Sequence, residues 1–181
     1  AEVAPIGVGE GTWPTMRSTL KQMGICETDF LLACDASFKQ GSKFSNWHTN
    51  TNEHYYHPFT LPHGFNDTNL APFWQPYRDK VSFADAVSVQ SHLGEHGLAP
   101  KQISTAEYDF NANYGYHLDA GKFAGLLQKH CTTKLAVKHI IDHVTQVNSS
   151  QTGDIASITT KNHGDIAGDL FIDCTGASSL L

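Results

Sequence analysis

Long apolar runs and clusters of basic residues are both missing from this sequence. No stretch approaches the ~20 consecutive apolar residues that a membrane-spanning helix needs. The 12 Lys and Arg residues form no run and are outnumbered by 18 Asp and Glu, which leaves a net charge of -6. We therefore expect no nucleic-acid partner and no membrane partner, because nucleic acids and anionic membranes are bound mainly through clustered positive charge.

Cysteine is scarce, and its spacing fits neither a disulfide framework nor a metal site. The four cysteines contain no CxxC pair, and a chain of 181 residues can build a core without disulfides. Free thiols in a reducing, cytoplasmic environment are therefore expected. Some of the 11 histidines lie three or four residues apart, but no cysteine or carboxylate pattern joins them, so no zinc site is predicted. The cysteines are Cys26, Cys34, Cys131 and Cys174.

The length and composition indicate a globular chain of one domain, or of one domain plus part of another. Hydrophobic residues make up 40% of the sequence and charged residues 17%, as is usual for globular proteins. The chain begins without Met and stops without a clear terminal signal. We expect it to be an internal fragment of a longer protein.

Glycines crowd one short stretch near the start, Gly7-Val8-Gly9-Glu10-Gly11, directly before a helical pattern. Glycine allows backbone conformations closed to other residues and lets a ligand approach the main chain. Thr12 is a candidate N-cap, and Pro14 suits a first helical turn. By itself the stretch is equally compatible with a cofactor contact at a helix N-terminus and with a simple turn before a well-capped helix.

Residues 36–47 are typical of a strand or a hairpin that carries a lysine between aromatic anchors. Lys39 and Lys43 fall on the face opposite Phe38 if the strand is regular. The common role of such a lysine is a solvated surface residue. A functional lysine needs partial burial, which frees a nucleophilic amine. The local pattern leaves both roles open.

The remaining pattern alternates helices and strands. Helices are expected from about 28 to 34 with Thr28 as a candidate N-cap, from 82 to about 93, and after an Asp119 cap. Strands are expected over 108–118, over 134–147, over 155–160 and over 170–172, with polar turns over 149–154 and 162–165. Aromatic-rich ordered loops are expected over 48–79. This order predicts an α/β chain of the FAD/NAD(P)-binding flavoprotein type, with an incomplete parallel sheet and a β-meander, plus part of a substrate-binding module.

Six motifs, in order and with consistent spacing, resemble the flavin-dependent tryptophan halogenases. They are Ile6–Pro14, Phe38–Lys39, Lys43–Trp47, His54–Phe59, Tyr116–Ala120 and Asp169–Gly176. The resemblance covers essentially the whole chain. It implies a flavin strap and catalytic-lysine region over 7–47, substrate-module loops and a helix over 48–107, and a return to the FAD-binding domain over 108–181.

The resemblance also implies a mechanism. In such enzymes reduced FAD (FADH2), oxygen and a halide, chloride or bromide, produce hypohalous acid, which a lysine relays to an aromatic, indole- or tryptophan-like substrate. Lys39 stands at the position of that lysine, which would hold the halogen by a hydrogen bond or as a haloamine. A separate NADH-dependent flavin reductase is implied as a partner, and a homodimer is compatible with the resemblance.

Further site residues are implied by position in the family's motifs. The cofactor-binding residues would be Gly7, Gly9, Glu10, Gly11 and Thr12 in the strap, Val144 beside the adenine, and Thr175 and Gly176 in the last turn. The substrate ring would stack against His57 and Phe59.

The departures from the family pattern leave alternatives open. The amino-terminal GxGxxG region and the carboxyl-terminal WxWxIP region, with the halide site and an assisting glutamate, are not in this sequence, so the isolated fragment is expected to be inactive. Trp13 replaces a smaller aliphatic residue, and the substrate could be another indole or a phenol. The alternatives are a flavin-dependent aromatic monooxygenase of the same fold and a non-catalytic flavin-binding relative. Lys39 distinguishes a halogenase from the monooxygenase, because oxygen insertion needs no relay amine.

Overall fold

A computed structural model describes residues 10–181, and the chain divides into two compact units. The first unit is the chain up to His130, and the second is Cys131–Leu181. Among the described residues, no helix is long and apolar enough to cross a membrane. All four cysteines are free thiols, as predicted.

The first unit consists of short helices and two antiparallel strand pairs. Its helices are α1 (Thr15–Gln22), α2 (Glu27–Ala33), α3 (Ala71–Trp74), α4 (Phe83–Val87), α5 (Gln90–Glu95) and α6 (Ala120–Lys134), and the last of these continues past His130. Its strands are β1 (Ser37–Lys39), β2 (Gly41–Ser45), β3 (His54–Pro58) and β4 (Gly115–His117). The pairs are β1 with β4 and β2 with β3. Residues 36–47 thus form strands, one of the two predicted alternatives, but not a hairpin. The two strands there bind different partners.

The second unit contains the predicted β-meander. Its strands are β5 (Val144–Ser149), β6 (Ile155–Thr160) and β7 (Gly164–Ala167), paired in the order β5-β6-β7. Polar turns join them at the expected places, and Gly153 and Gly164 take positive φ values of 91° and 70° there. The predicted meander is confirmed, but the strand expected over 134–147 is wrong before Val144, because residues 135–143 belong to no strand.

The parallel sheet of the prediction does not occur within residues 10–181, where every strand pair is antiparallel. The expected buried strand over residues 170–172 is also wrong. Leu170 and Ile172 are 78% and 77% exposed and belong to no strand. A buried strand needs neighbours on both sides, and the described residues supply none for this segment.

The core of the first unit lies where α1, α2 and α6 pack against β1 and β4. Helical spacing places Met16, Leu20 and Met23 on the inner side of α1, and Leu20 is fully buried. Phe30 of α2 meets Tyr116 of β4 edge to face, with ring centroids 4.8 Å apart. The buried members of this cluster are Leu20, Ile25, Phe30, Cys34, Tyr114, Tyr116 and Leu118.

A carboxylate, Glu27, is buried beside this aromatic core and is 2% exposed. Its Oε1 accepts hydrogen bonds from the hydroxyls of Tyr114 (2.5 Å) and Tyr116 (2.6 Å). Its Oε2 accepts from the Tyr108 amide (2.8 Å) and the Lys101 ammonium (3.0 Å). Burial acts to raise the pKa of Glu27, but these hydrogen bonds outweigh it and the pKa lies below its usual value. Both oxygens are satisfied, so the charge is retained.

A buried cation, Arg17 of α1, holds the segment that leads into β4. Its guanidinium donates to the Tyr108 carbonyl at 3.0 Å and to the Asn113 side-chain oxygen. It also stacks on two rings, 4.1 Å from the Phe110 centroid and 4.5 Å from the Tyr114 centroid. Cation–π contacts gain strength when the cation is desolvated. Hydrogen bonds and cation–π contacts therefore hold α1 to this segment in addition to apolar packing.

Two predicted helix caps are wrong because their hydroxyls have long-range partners. Pro14, not Thr12, is the residue before α1, and the Thr12 hydroxyl instead accepts from the Tyr116 amide at 2.9 Å. Helix α2 begins one residue before Thr28, whose hydroxyl donates to Glu107 at 2.8 Å. Local capping rules cannot anticipate a partner some 80 to 100 residues away.

Three further expectations concern helix and strand limits. The predicted helix over 82–93 begins as expected, with the Ser82 hydroxyl accepting from the Asp85 amide, but it breaks at Ser88, which is extended. The predicted strand over 108–118 is regular only in β4, because the Pro100 carbonyl accepts from two consecutive amides before it. The Asp119 cap of α6 is confirmed by its 2.9 Å bond from the Lys122 amide.

Glu27→Gln is expected to lower the free energy of unfolding by about 3 kcal/mol, because it removes a buried charge and leaves Lys101 unpaired. The new amide NH2 would also face donors. Urea unfolding measures the loss. Glu95→Gln is the matched control, since that carboxylate makes an ion pair with Lys43 at the surface. Equal effects of the two substitutions would contradict the stabilising role of Glu27.

Glu27 should also make stability depend on acid pH. Because its pKa is lower in the folded protein, the stability it contributes is complete above its unfolded pKa of about 4.3 and is lost as the pH falls through the folded value. We expect the urea midpoint to fall on acidification from about pH 5 to pH 3, and to fall less in Glu27→Gln. Glu107, whose pKa is lowered to about 2 by the Cys26 thiol and Thr28, is retained in both proteins. Parallel pH curves would refute this assignment.

Candidate functional site

Lys39 lies on the outer face of a small antiparallel sheet whose inner face is core. In β1, Phe38 points inward and meets the Tyr114 ring at 4.9 Å, so alternation directs Lys39 to the other face. In β4, Tyr116 points inward to Glu27 in the same way. The next residue, His117, therefore shares the outer face with Lys39.

Residues 10–12 extend this sheet along the free side of β4. The Thr12 amide donates to the Tyr116 carbonyl at 2.8 Å, and the Leu118 amide donates to the Glu10 carbonyl at 2.8 Å. These two bonds flank an isolated bridge between Gly11 and His117. In such a non-hydrogen-bonded pair the backbone groups of Gly11 point away from β4, and the side-chain positions are close.

The Lys39 ammonium lies directly beside Gly11. A Cβ added to Gly11 would be 3.1 Å from Lys39 Nζ and 3.6 Å from two atoms of the His117 ring. Two aromatic rings also approach the ammonium, with Nζ 5.8 Å from the Trp13 centroid and 5.7 Å from the Phe59 centroid. Among residues 10–181, no carboxylate lies within 4.0 Å of Lys39 Nζ, whereas Lys43 is paired with Glu95. The site is thus a partly buried amine among aromatic rings and glycine backbone.

A second glycine, Gly115, allows the strap segment to approach β4. A Cβ at Gly115 would be 2.6 Å from the Thr12 carbonyl oxygen, far closer than two such atoms can come. Gly115 is also the residue directly opposite Lys39 in the β1–β4 register. The missing side chain therefore brings Trp13 next to the lysine.

The predicted strap residues fall into two groups. Gly7 and Gly9 lie outside the described residues. Glu10 and Gly11 are exposed, and Thr12 is partly buried with its hydroxyl bonded to Tyr116. An exposed edge with outward backbone groups can receive a flat ligand that accepts and donates hydrogen bonds.

The two predicted substrate residues lie in different surroundings. Phe59 is buried at 8% exposure and meets the Trp13 ring at 5.5 Å, beside Lys39. His57 is exposed on β3 opposite Ser42. It lines a cavity of about 310 Å³ whose wall includes the Lys43–Glu95 pair but not Phe59. The structure therefore brings Phe59, but not His57, into contact with the lysine site.

The other predicted cofactor residues belong to the second unit. Val144 begins β5 and pairs with Thr160. Thr175 donates to the Asp173 carboxylate from its amide (2.7 Å) and its hydroxyl (2.5 Å). Gly176 has φ +67° and starts a short 3-10 turn. The turn predicted at Thr175-Gly176 is present, and its contact with a cofactor stays a prediction.

Three residues of the site were missed or undervalued from the sequence. The sequence marks Trp13 only as a departure from the family pattern and His117 only as part of a motif, and no local pattern marks Glu27. The period-2 alternation of Phe38, Lys39, Tyr116 and His117 could have indicated the shared face of Lys39 and His117, but not that β1 and β4 pair. Within residues 10–181, no group of three or more His, Cys, Asp or Glu side chains could hold a metal ion.

Comparison with known proteins assigns the family. The tryptophan halogenase family model matches residues 1–181. Tryptophan 6-halogenase ThaL of Streptomyces albogriseolus is 31% identical, over 97% of this chain and 36% of its own length. The crystal structure of a tryptophan halogenase from Shewanella frigidimarina NCIMB 400 superposes with a TM-score of 0.89 at 58% identity, over 98% of this chain and 35% of that one.

A third relative adds the cofactor class. Xcc4156, a flavin-dependent halogenase from Xanthomonas campestris, superposes with a TM-score of 0.83 at 29% identity, over 99% of this chain and 36% of its own. The chain thus spans about a third of the length of each of these relatives. The sequence and the fold both match those of known halogenases over nearly the whole chain. The chain therefore belongs to the family of flavin-dependent tryptophan halogenases.

Proposed function

We propose that this chain is the part of a flavin-dependent halogenase that carries the halogen-transferring lysine. The full-length protein would halogenate an aromatic, indole- or tryptophan-like substrate with oxygen and chloride or bromide. Lys39 would receive the halogen from hypohalous acid and pass it to the ring. The observation that carries this proposal is the placement of Lys39 Nζ beside the Gly11 backbone and within 5.8 Å of the centroids of both the Trp13 and Phe59 rings.

The surroundings of Lys39 suit an amine that meets an electrophile. Aromatic faces attract the ammonium without competing for its N–H groups as a carboxylate would. The nearest lysine in sequence, Lys43, is instead held by Glu95 at 2.6 Å. Lys39 has no carboxylate partner among residues 10–181. Its nitrogen is therefore available for hypohalous acid, either by hydrogen bonding or by forming an N–halogen bond.

The strap fits a flavin at its outer edge. Bound FADH2 would supply hypohalous acid from oxygen and halide. Gly11 has no side chain and its backbone groups face away from β4, so it can lie against a flat ring system while its other side touches Lys39. Glu10 and Thr12 would complete that contact, with Gly7 and Gly9 before them. Val144, Thr175 and Gly176 would contact other parts of FAD.

The remaining site features are proposed with the same enzyme in mind. Phe59 would stack on the substrate ring near Lys39, and His57 would contact the substrate from β3. A separate NADH-dependent flavin reductase would supply reduced FAD in the cytoplasm, and the enzyme could act as a homodimer.

Lys39→Ala in the full-length protein is expected to lower halogenated indole formation by about 100-fold or more, the scale of a lost nucleophile or proton donor. Flavin oxidation should continue, because the change lies on the far side of the strap. The assay supplies FAD, a reductase, NADH and chloride or bromide. Lys21→Ala, at an exposed lysine of α1, is the matched control and should keep full activity. Equal product from the Lys39→Ala and parent proteins would refute the proposal, and hydroxylated product without halogen would favour the monooxygenase.

Gly11→Ala should uncouple flavin oxidation from halogenation. The added Cβ would be 3.1 Å from Lys39 Nζ, so the ammonium must move. We expect the yield of halogenated product per oxygen consumed to fall about tenfold, since small displacements of reacting groups are costly. Gly125→Ala is the matched control, because open space surrounds that position in α6. An unchanged yield in Gly11→Ala would show that the close approach has no functional role.

A further inference from the structure

His117 and Lys39 are diagonal neighbours on one face of the β1–β4 sheet. Lys39 stands opposite Gly115, and His117 stands two residues further, opposite Ser37. Residues two apart on a strand share a face, and diagonal side chains of this length can reach each other. Gly115 has no side chain between them, so nothing in β4 separates the imidazole from the ammonium.

Both groups also converge on one small volume over Gly11. The position of a Gly11 Cβ lies 3.1 Å from Lys39 Nζ, 3.6 Å from His117 Nδ1 and 3.6 Å from His117 Cε1. A ring nitrogen, and not only a ring carbon, therefore faces the space that the ammonium borders. A glycine at position 11 leaves that space open for a proton or a water molecule to pass.

The backbone of His117 is held on both sides, which fixes the direction in which its side chain leaves the strand. The Leu118 amide donates to Glu10 and the Thr12 amide to Tyr116, both at 2.8 Å. Tyr116 is anchored in turn by its hydroxyl on Glu27. His117 is nevertheless exposed, so its ring can exchange protons with solvent.

Few other charged groups compete for this role among the described residues. Glu10 is the acidic residue of the adjoining strap segment, and its side chain is exposed. Asp119, after β4, is engaged as the cap of α6 through the Lys122 amide. Asp35, before β1, is paired with the Lys122 ammonium. The Cys34 thiol is buried, and burial raises its pKa, so it is a poor proton acceptor at neutral pH.

Halogen transfer through an amine requires a proton acceptor. Lys39 begins as an ammonium, and hypohalous acid brings the halogen bound to oxygen. As the N–halogen bond forms and the halogen–oxygen bond breaks, the nitrogen gives up two protons. One combines with the departing hydroxide to make water, and the other must go to a base. A neutral imidazole is suited to accept it.

We propose that His117 acts as the base that takes this proton from Lys39 and returns it afterwards. In the return step the aromatic ring takes the halogen and loses its own proton to the Lys39 nitrogen, which leaves a neutral amine. The His117 imidazolium then donates its proton and restores the ammonium. This inference rests on the proposed halogenase function, since it acts only where Lys39 becomes a haloamine.

The test adds limiting hypochlorous acid to the full-length protein without flavin and measures N-chlorination of each lysine by mass spectrometry. Lys43, in the same sample, is the internal reference. In the parent protein the Lys39 to Lys43 ratio should rise from pH 5 to pH 8, the range in which imidazoles lose their charge. His117→Gln should lower that ratio about tenfold at pH 8 and flatten its pH dependence. The exposed His63 provides the control substitution His63→Gln, which should change nothing.

A second variant separates proton transfer from a structural role. His117→Glu supplies a different base at the same place, so it should restore much of the ratio and retain it at lower pH than histidine does. A loss in both His117→Gln and His117→Glu would indicate a structural role and overturn the proposal. An unchanged ratio in His117→Gln would overturn it directly.

The outcome is distinguishable from a failure of the proposed function. A parent protein that makes no halogenated indole with FAD, reductase and halide would refute the halogenase activity. The chlorination ratio does not depend on the flavin, and it would still show whether His117 serves Lys39 as a base.

Discussion

The position of the lysine site depends on the hydrogen bonds that the buried Glu27 carboxylate accepts. It receives the hydroxyls of two tyrosines from the β4 segment, together with a backbone amide and an ammonium. Loss of any of these partners would destabilise the folded protein, because the buried charge would be incompletely compensated. The four donors therefore hold α2, β4 and the segment before β4 in one arrangement, and that arrangement determines which residues of β4 face outward.

The outward face follows from this anchoring by simple alternation. With Tyr116 committed to Glu27, His117 must point the other way, and β1 pairs so that Lys39 shares its face. Two glycines, Gly11 and Gly115, then let a third segment lie close beside them. The aromatic rings of Trp13 and Phe59 complete the surroundings of the ammonium. A polar core interaction thus positions Lys39 on the opposite surface of the same strands.

The two lysines of this region show how environment separates equivalent residue types. Both follow an aromatic-rich strand pattern, and both stood on the same predicted face. Lys43 forms a surface ion pair with Glu95, so its ammonium already has a carboxylate partner. Lys39 instead borders backbone, two aromatic rings and an imidazole. A residue of that kind is positioned to meet a ligand, and the family to which the chain belongs indicates which chemistry to test.

The sequence by itself determined the features that depend on neighbouring residues. Hydrophobic spacing predicted α1, the Asp119 cap predicted the start of α6, and polar turns predicted the β5-β6-β7 meander, because each depends on contacts within a few residues. The motifs likewise singled out Lys39 and the strap. Only the tertiary structure decided the partners of β1 and β2, the engagement of Thr12 by Tyr116, the four donors on Glu27, and the approach of Lys39 and His117 to Gly11. These contacts join residues as far as 104 positions apart. No local pattern indicates which distant segments a buried charge or a glycine will bring together.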